Sequence, residues 1–278
     1  MRKKHLPLIL LSILLIGIYF QVIIELVVQW WDDPNYSHGF LIPLVSGFFV
    51  WKARKKLGTL PTQNSNWGLL VLVVGLGLYV VGTAAMEYFS VRFSMVVVVI
   101  GLVLYFGGKK FLKTLWFPLV FLAFMIPIPY VIYYSVTFPM QLFSSKLACE
   151  FLQLSGLSVM RQGNVIHLPN YSLEVIEACS GLRSLMTLSA LGAAMAYMTQ
   201  KSLVGGVIVF FSSIPIAIGA NVFRLVITAL GAFLISPKFA EGFLHEASGL
   251  VVFLSGLFCL SLVAVAVRQL EKRIVKVE

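Results

Sequence analysis

The sequence predicts an all-α, multi-pass membrane protein of about eight transmembrane helices, with both termini cytoplasmic and a small outward-facing insertion before span six. Three observations predict it. Apolar residues make up 59% of the 278 positions and charged residues only 12%, and the mean hydropathy is +0.95. A soluble domain of this size could not hide that much apolar surface, whereas lipid solvates it freely. Apolar runs of membrane length recur along the chain, and the basic residues between them fall on alternate loops.

The runs cover 6–28, 39–53, 67–86, 91–108, 114–134, 182–200, 203–222 and 248–267. Arg2, Lys3 and Lys4 precede the first; Lys52, Arg54, Lys55 and Lys56 follow the second; Lys109, Lys110 and Lys113 follow the fourth. Lys201 separates the sixth from the seventh, and Arg268, Lys272, Arg273 and Lys276 follow the eighth. The positive-inside rule places these loops in the cytoplasm, which requires an even number of spans. The net charge of +10 is thereby a topological fence, and no nucleic-acid module accompanies it. Met1-Arg2-Lys3-Lys4 opens like a signal peptide. The apolar stretch is too long for one and no small-x-small site follows, so an uncleaved first span is expected. No internal repeat or soluble region interrupts the chain, which reads as one domain over 1–278.

The same alternation leaves 29–38, 87–90, about 135–180 and about 223–247 outside. The third is the longest. After Pro127, Pro129 and Pro139, the stretch Gln141 to Leu154 has apolar residues at helical spacing and is expected to lie flat in the outer interface. Alternating apolar residues around Gln162-Gly163-Asn164 and Pro169-Asn170 predict short strands in a small β-hairpin that delivers Cys179 to the top of span six.

Chemistry concentrates on this outward side. Cys179 stands in Glu177-Ala178-Cys179-Ser180-Gly181-Leu182-Arg183, where span six should begin near Ser180 or Gly181. A helix N-terminus stabilises an anion and lowers a thiol pKa, and Arg183 at i+4 would add to that. Gly181 leaves room for a peptide backbone to approach. The bland reading is a cysteine at a helix cap, with Arg183 reaching to the interface. Arg224, in Asn221-Val222-Phe223-Arg224, lies among apolar residues on both sides, an expensive place for a charge unless it faces a polar cavity or partner. It would hold an oxyanion or a substrate carboxylate, with Asn221 one turn earlier as a brace. Otherwise it is an interfacial anchor. His245, before Glu246, would take the thiol proton and return it to a leaving amine, with Glu246 a candidate to orient the ring; alone, a loop histidine is more often merely solvated. His38 competes for that role, and His167 does so more weakly. Cys259, in mid-span, reads as core filler. Cys149 could be exposed, and a Cys149–Cys179 disulfide is the alternative to a free thiolate. No metal-ligand spacing or cofactor motif is present.

Taken together these residues resemble the exosortase/archaeosortase family of membrane-embedded cysteine transpeptidase-like proteases. Tyr36-Ser37-His38-Gly39-Phe40-Leu41-Ile42-Pro43, followed by Trp51, is similar to the family's Y-S-H-G-x-L-x-P stretch. The Glu177 to Arg183 run is similar to its cysteine motif, and Asn221-x-x-Arg224 to its arginine motif. His245, four residues before Gly249, fits the histidine position, where archaeal relatives carry arginine; this favours the bacterial exosortase branch. The chain ends soon after span eight, so the further C-terminal domain of some relatives is not expected. The resemblance implies an inner-membrane enzyme whose substrates are exported proteins with a C-terminal sorting tail: a Pro-Glu-Pro signature, one transmembrane helix and a basic end. It implies Cys179 as nucleophile, Arg224 as oxyanion holder and His245 as general base and acid. Hydrolysis and transpeptidation stay undivided, as do the acceptor and the oligomeric state.

Two other classes compete on the sequence alone: a multi-pass transporter or channel, with Arg224 beside a Pro/Gly-interrupted pathway, and a non-catalytic factor for polysaccharide export, in which Cys179 is dispensable. Against the transporter, the polar singletons gather at one membrane face rather than at the midplane.

Overall fold

The computed structural model describes residues 6–169, 171–175, 182–236 and 242–277; for 6–12, 182, 242–248 and 274–277 it describes the backbone alone. The chain packs as two compact units, Met1–Pro129 and Tyr130–Glu278.

The first unit holds α1 (Leu6–Asp32), a 3-10 segment (Pro34–Phe40), α2 (Leu41–Thr59), α3 (Asn66–Ala84), α4 (Tyr88–Phe121) and a 3-10 turn (Leu122–Met125). Asp33 caps the first 3-10 segment by accepting from the Asn35 amide at 2.9 Å, and Pro34 supplies its fixed φ at the start. Glu87 caps α4 by accepting from the Phe89 and Ser90 amides. Hydrogen bonding from the Ser90 side chain, ahead of the backbone amides and the Arg92 charge, holds its carboxyl below the ordinary range.

α3 and α4 pack antiparallel through glycines spaced by seven. A methyl group at Gly68 would strike the Tyr105 backbone nitrogen at 2.3 Å, one at Gly75 the Val98 side chain at 2.7 Å, and one at Gly82 the Val91 side chain at 2.9 Å. A heptad of small residues keeps one stripe facing its partner and lets backbones approach where lipid offers no hydrophobic drive. Gly68→Ala is therefore expected to destabilise the unit by roughly 1–3 kcal/mol. Gly77→Ala, where nothing lies within 4 Å, is expected to be neutral or slightly stabilising. Thermal unfolding of the two variants in detergent makes the comparison.

α4 reverses on itself. Gly108, with φ 77 and ψ −175, breaks the helical path, a left-handed value that glycine adopts without strain. Arg92 donates to the Gln29 side chain, and the neighbouring Trp30 indole donates to the Met125 carbonyl at 2.9 Å. Residues 92 and 125 thus meet one end of α1, whereas an unbroken helix would hold them about 50 Å apart. Ser46 Oγ donating to the Pro118 carbonyl at 2.7 Å and the Phe49–Phe117 ring contact lay the returning limb along α2.

In the second unit α5 (Tyr130–Leu154) leads into a three-stranded antiparallel sheet of β1 (Met160–Gln162), β2 (Val165–His167) and β3 (Ser172–Glu174), followed by α6 (Leu182–Thr199), α7 (Leu203–Leu234) and α8 (Gly242–Val277). Gln162 pairs with Val165 around Gly163-Asn164; Gly163 has φ 64, as a two-residue hairpin with glycine first requires. β3 pairs β2 through Ile166↔Leu173. Ile166, Leu173 and Val175 enter one apolar cluster with Ala148, Cys149 and Leu152 of α5 and Val222, Leu225 and Ala229 of α7. α7 and α8 run antiparallel: a methyl group at Gly256 would meet Ile216 and Ala220, and one at Gly249 would meet Arg224.

Among the described residues five stretches are long and apolar enough to cross a membrane: Ile13–Asp32, Asn66–Ala84, Tyr88–Met125, Leu203–Leu234 and Gly249–Arg273. The third contains the Gly108 reversal. α2, with Lys52, Arg54, Lys55 and Lys56 in its last turns, and the Ser- and Thr-bearing α6 fall outside that set. The expected span 114–134 stops earlier, because Pro127 and Pro129 break the chain after Met125. Gln141–Leu154 is no separate helix but the second half of α5, which continues through Pro139.

Candidate active site

The second unit carries most of the expected site residues. Arg224 lies two-thirds of the way along α7, half-buried. Its guanidinium rests on α8 at Gly249, where a methyl group would meet Nη2 at 3.5 Å and Cζ at 3.6 Å. Gly249 thus lies directly against the guanidinium. Alanine at this position makes an ordinary contact, while a branched side chain must displace the charge. Gly249→Val is accordingly expected to dislodge the guanidinium with little loss of folded protein, and Gly249→Ala to leave it in place; the reactivity of Arg224 toward a dicarbonyl reagent, mapped by peptide mass spectrometry, separates the two.

Asn221, one turn before Arg224, is 2% exposed, and its Nδ2 makes no hydrogen bond to a described residue. A guanidinium only donates, so a brace from Asn221 would use Oδ1. His245 and Glu246 fall within α8, His245 one turn before Gly249; both lie inside the helix rather than in a loop before it, and only their backbone is described. Cys179 lies outside the described residues. The last described residue before it, Val175, is fully buried in the same apolar cluster as Val222 and Leu225, which bracket Arg224. Val175 is held there by its amide, which donates to the Asn164 carbonyl at 3.0 Å, and by its own carbonyl, which accepts from Asn164 Nδ2 at 3.2 Å. Arg183 is exposed in the first turn of α6.

The other cysteines and histidines separate cleanly. Cys149 is a free, buried thiol; Cys179, its partner in the disulfide alternative, lies outside the described residues. Burial pushes its pKa up, ahead of the Arg161 charge that opposes it, the wrong direction for a nucleophile. Cys259 is a correction: it is exposed, not core filler, because a mid-span position does not tell a lipid-facing side from a packed one. His167 Nδ1 lies 2.8 Å from Ser172 Oγ across the hairpin. His38 belongs to the first unit and is 6% exposed. Burial lowers its pKa despite the Phe124 and Asn35 backbone, so its ring is neutral at neutral pH.

An apolar groove of about 350 Å³ lies between α5 and α7, lined by Leu147, Phe151, Gly219, Val222, Phe223 and Val226. Arg92 in the first unit, more deeply buried than Arg224, went unread in the sequence. Its signal was the one that marked Arg224, a charge inside an apolar segment.

With this geometry in place, the comparison with known families is decisive. The model of the Transmembrane exosortase family matches residues 30–262, well over half the chain. The chain belongs to the transmembrane exosortase family. The match encloses Cys179, Arg224 and His245 together with the Tyr36–Pro43 stretch. As a transmembrane exosortase the chain is an integral membrane protein, in agreement with its apolar helices. No curated protein and no solved structure gives a match.

Proposed function

We propose that this exosortase is a cysteine peptidase or transpeptidase of the bacterial inner membrane that removes the C-terminal sorting tail of exported proteins. The observation that carries the reading is the seat of Arg224: a cation in an apolar helix, with its guanidinium on a glycine one turn from His245. A charge placed there at high cost has a task, and holding developing negative charge is the task its chemistry suits. Val175, four residues before Cys179, shares a cluster with the residues that bracket Arg224. The reading requires Cys179 at that corner, and the four residues from Val175 can span at most about 14 Å.

In the proposed reaction His245 takes the Cys179 proton, and the thiolate attacks the backbone carbonyl beside the tail's Pro-Glu-Pro signature. Arg224 stabilises the tetrahedral oxyanion. Collapse breaks the C–N bond, His245 protonates the leaving amine, and the exported part remains on Cys179 as a thioester. Water or an acceptor amine then releases it. Arg183 favours the thiolate, Asn221 and Glu246 position Arg224 and His245, and His38 supports the first unit rather than serving as the base. The whole chain acts as one domain of eight passages, with both termini inside and the site outside, where the signature of a tail with a basic cytoplasmic end emerges. The experiment that tests it is processing of a reporter bearing such a tail in membranes, compared between wild type and Cys179 variants. Undiminished processing in Cys179→Ala removes the reading and returns the transporter and the export factor.

A further inference from the structure

A polar cavity of about 360 Å³ in the first unit takes no part in this chemistry. Two loops build it: the connection from α2 to α3, with Gln63, Asn64 and Ser65, and the reversal in α4, with Gly108, Lys109 and Lys110. They touch backbone to backbone. A methyl group at Gly108 would strike the Gln63 carbonyl oxygen at 2.3 Å, and the Ser65 amide donates to the Tyr105 carbonyl at 3.2 Å. The cavity is thus walled by uncharged hydrogen-bonding groups and two exposed lysines. No Asp or Glu occurs from 34 to 86 or from 88 to 149. The acidic residues of this unit, Glu25, Asp32, Asp33 and Glu87, lie toward the opposite end of its helices. Lys52, Arg54, Lys55 and Lys56, in the last turns of α2, add to the same positive end.

The positive-inside rule requires the charge here, but it does not require a walled cavity. We propose that the cavity binds a phosphate-bearing anion, with Lys109 and Lys110 pairing with its oxygens and Asn64 and Ser65 donating to them. Lysine is a point-charge phosphate binder, and phosphate offers several acceptor oxygens at one centre. Two sources present this chemistry at the inner membrane face: the headgroup of an anionic phospholipid and a soluble phosphate compound.

The full chain in detergent is titrated with phosphatidylglycerol or phosphatidylcholine, and bound lipid is counted by native mass spectrometry. Wild type is expected to retain phosphatidylglycerol selectively. Lys109→Gln with Lys110→Gln should weaken it on the order of tenfold, and Asn64→Asp, which places a carboxylate in the cavity, should weaken it too. Lys52→Gln with Lys55→Gln, the same charge change outside the cavity, should leave it within about twofold. Displacement of the lipid by inorganic phosphate, with phosphate protecting Lys109 from acetylation, would support the site and identify a soluble source. Lipid selectivity without a phosphate effect would support it and identify the headgroup. Equal weakening by both lysine pairs, or a wild type with neither lipid selectivity nor phosphate protection of Lys109, would overturn the site and leave only diffuse surface charge.

Discussion

Cys179→Ala is expected to abolish processing of a tailed reporter, with product falling on the order of a thousandfold or more at equal enzyme level. Neither described cysteine is placed to substitute: Cys149 is buried with its pKa raised, and Cys259 lies on an outward, mid-span face of α8. Cys179→Ser should be nearly as inactive. A hydroxyl is far less acidic than a thiol, and a helix N-terminus and Arg183 cannot make it an alkoxide at neutral pH. Immunoblots of membranes, scoring full-length and shortened reporter beside enzyme abundance, read the result.

Arg224→Ala should cost about 10²–10³ in turnover, the usual effect of removing an oxyanion donor from a water-poor site. Arg224→Lys should recover little. The guanidinium spans the Gly249 seat as a planar fork, whereas an ammonium is a single, strongly hydrated point. The loss is expected in the turnover number with KM nearly unchanged, since the charge is needed most when the carbonyl oxygen becomes an anion. If Arg224 is only an interfacial anchor, Arg224→Lys keeps full activity.

The path of the chain was legible where composition alone decides it. Apolar runs located the helices, Lys109-Lys110 marked the place where α4 turns back at Gly108, and Gly163-Asn164 marked the hairpin. Ends and faces were not. α7 continues to Leu234, past the expected end at 222, because the residues after Arg224 are apolar and the arginine is seated rather than exposed. α8 starts at Gly242, so the polar His245-Glu246 pair that read as loop lies in helix. Cys259 faces outward because a span apolar all round does not encode which side meets lipid. Gly249 was read only as a spacing mark for His245; its role as the seat of Arg224 depends on the register between two antiparallel helices, which no local pattern states.

The proposed reaction passes through a covalent bond to Cys179. Membranes carrying enzyme and reporter are quenched with acid during turnover, and the enzyme is mapped by peptide mass spectrometry. A hydroxylamine-labile adduct is expected on Cys179, joining its sulfur to the new C-terminal carbonyl of the exported part and absent when the reporter lacks its tail. Steady formation of shortened reporter with Cys179 unmodified, and undiminished in Cys179→Ala, would contradict it.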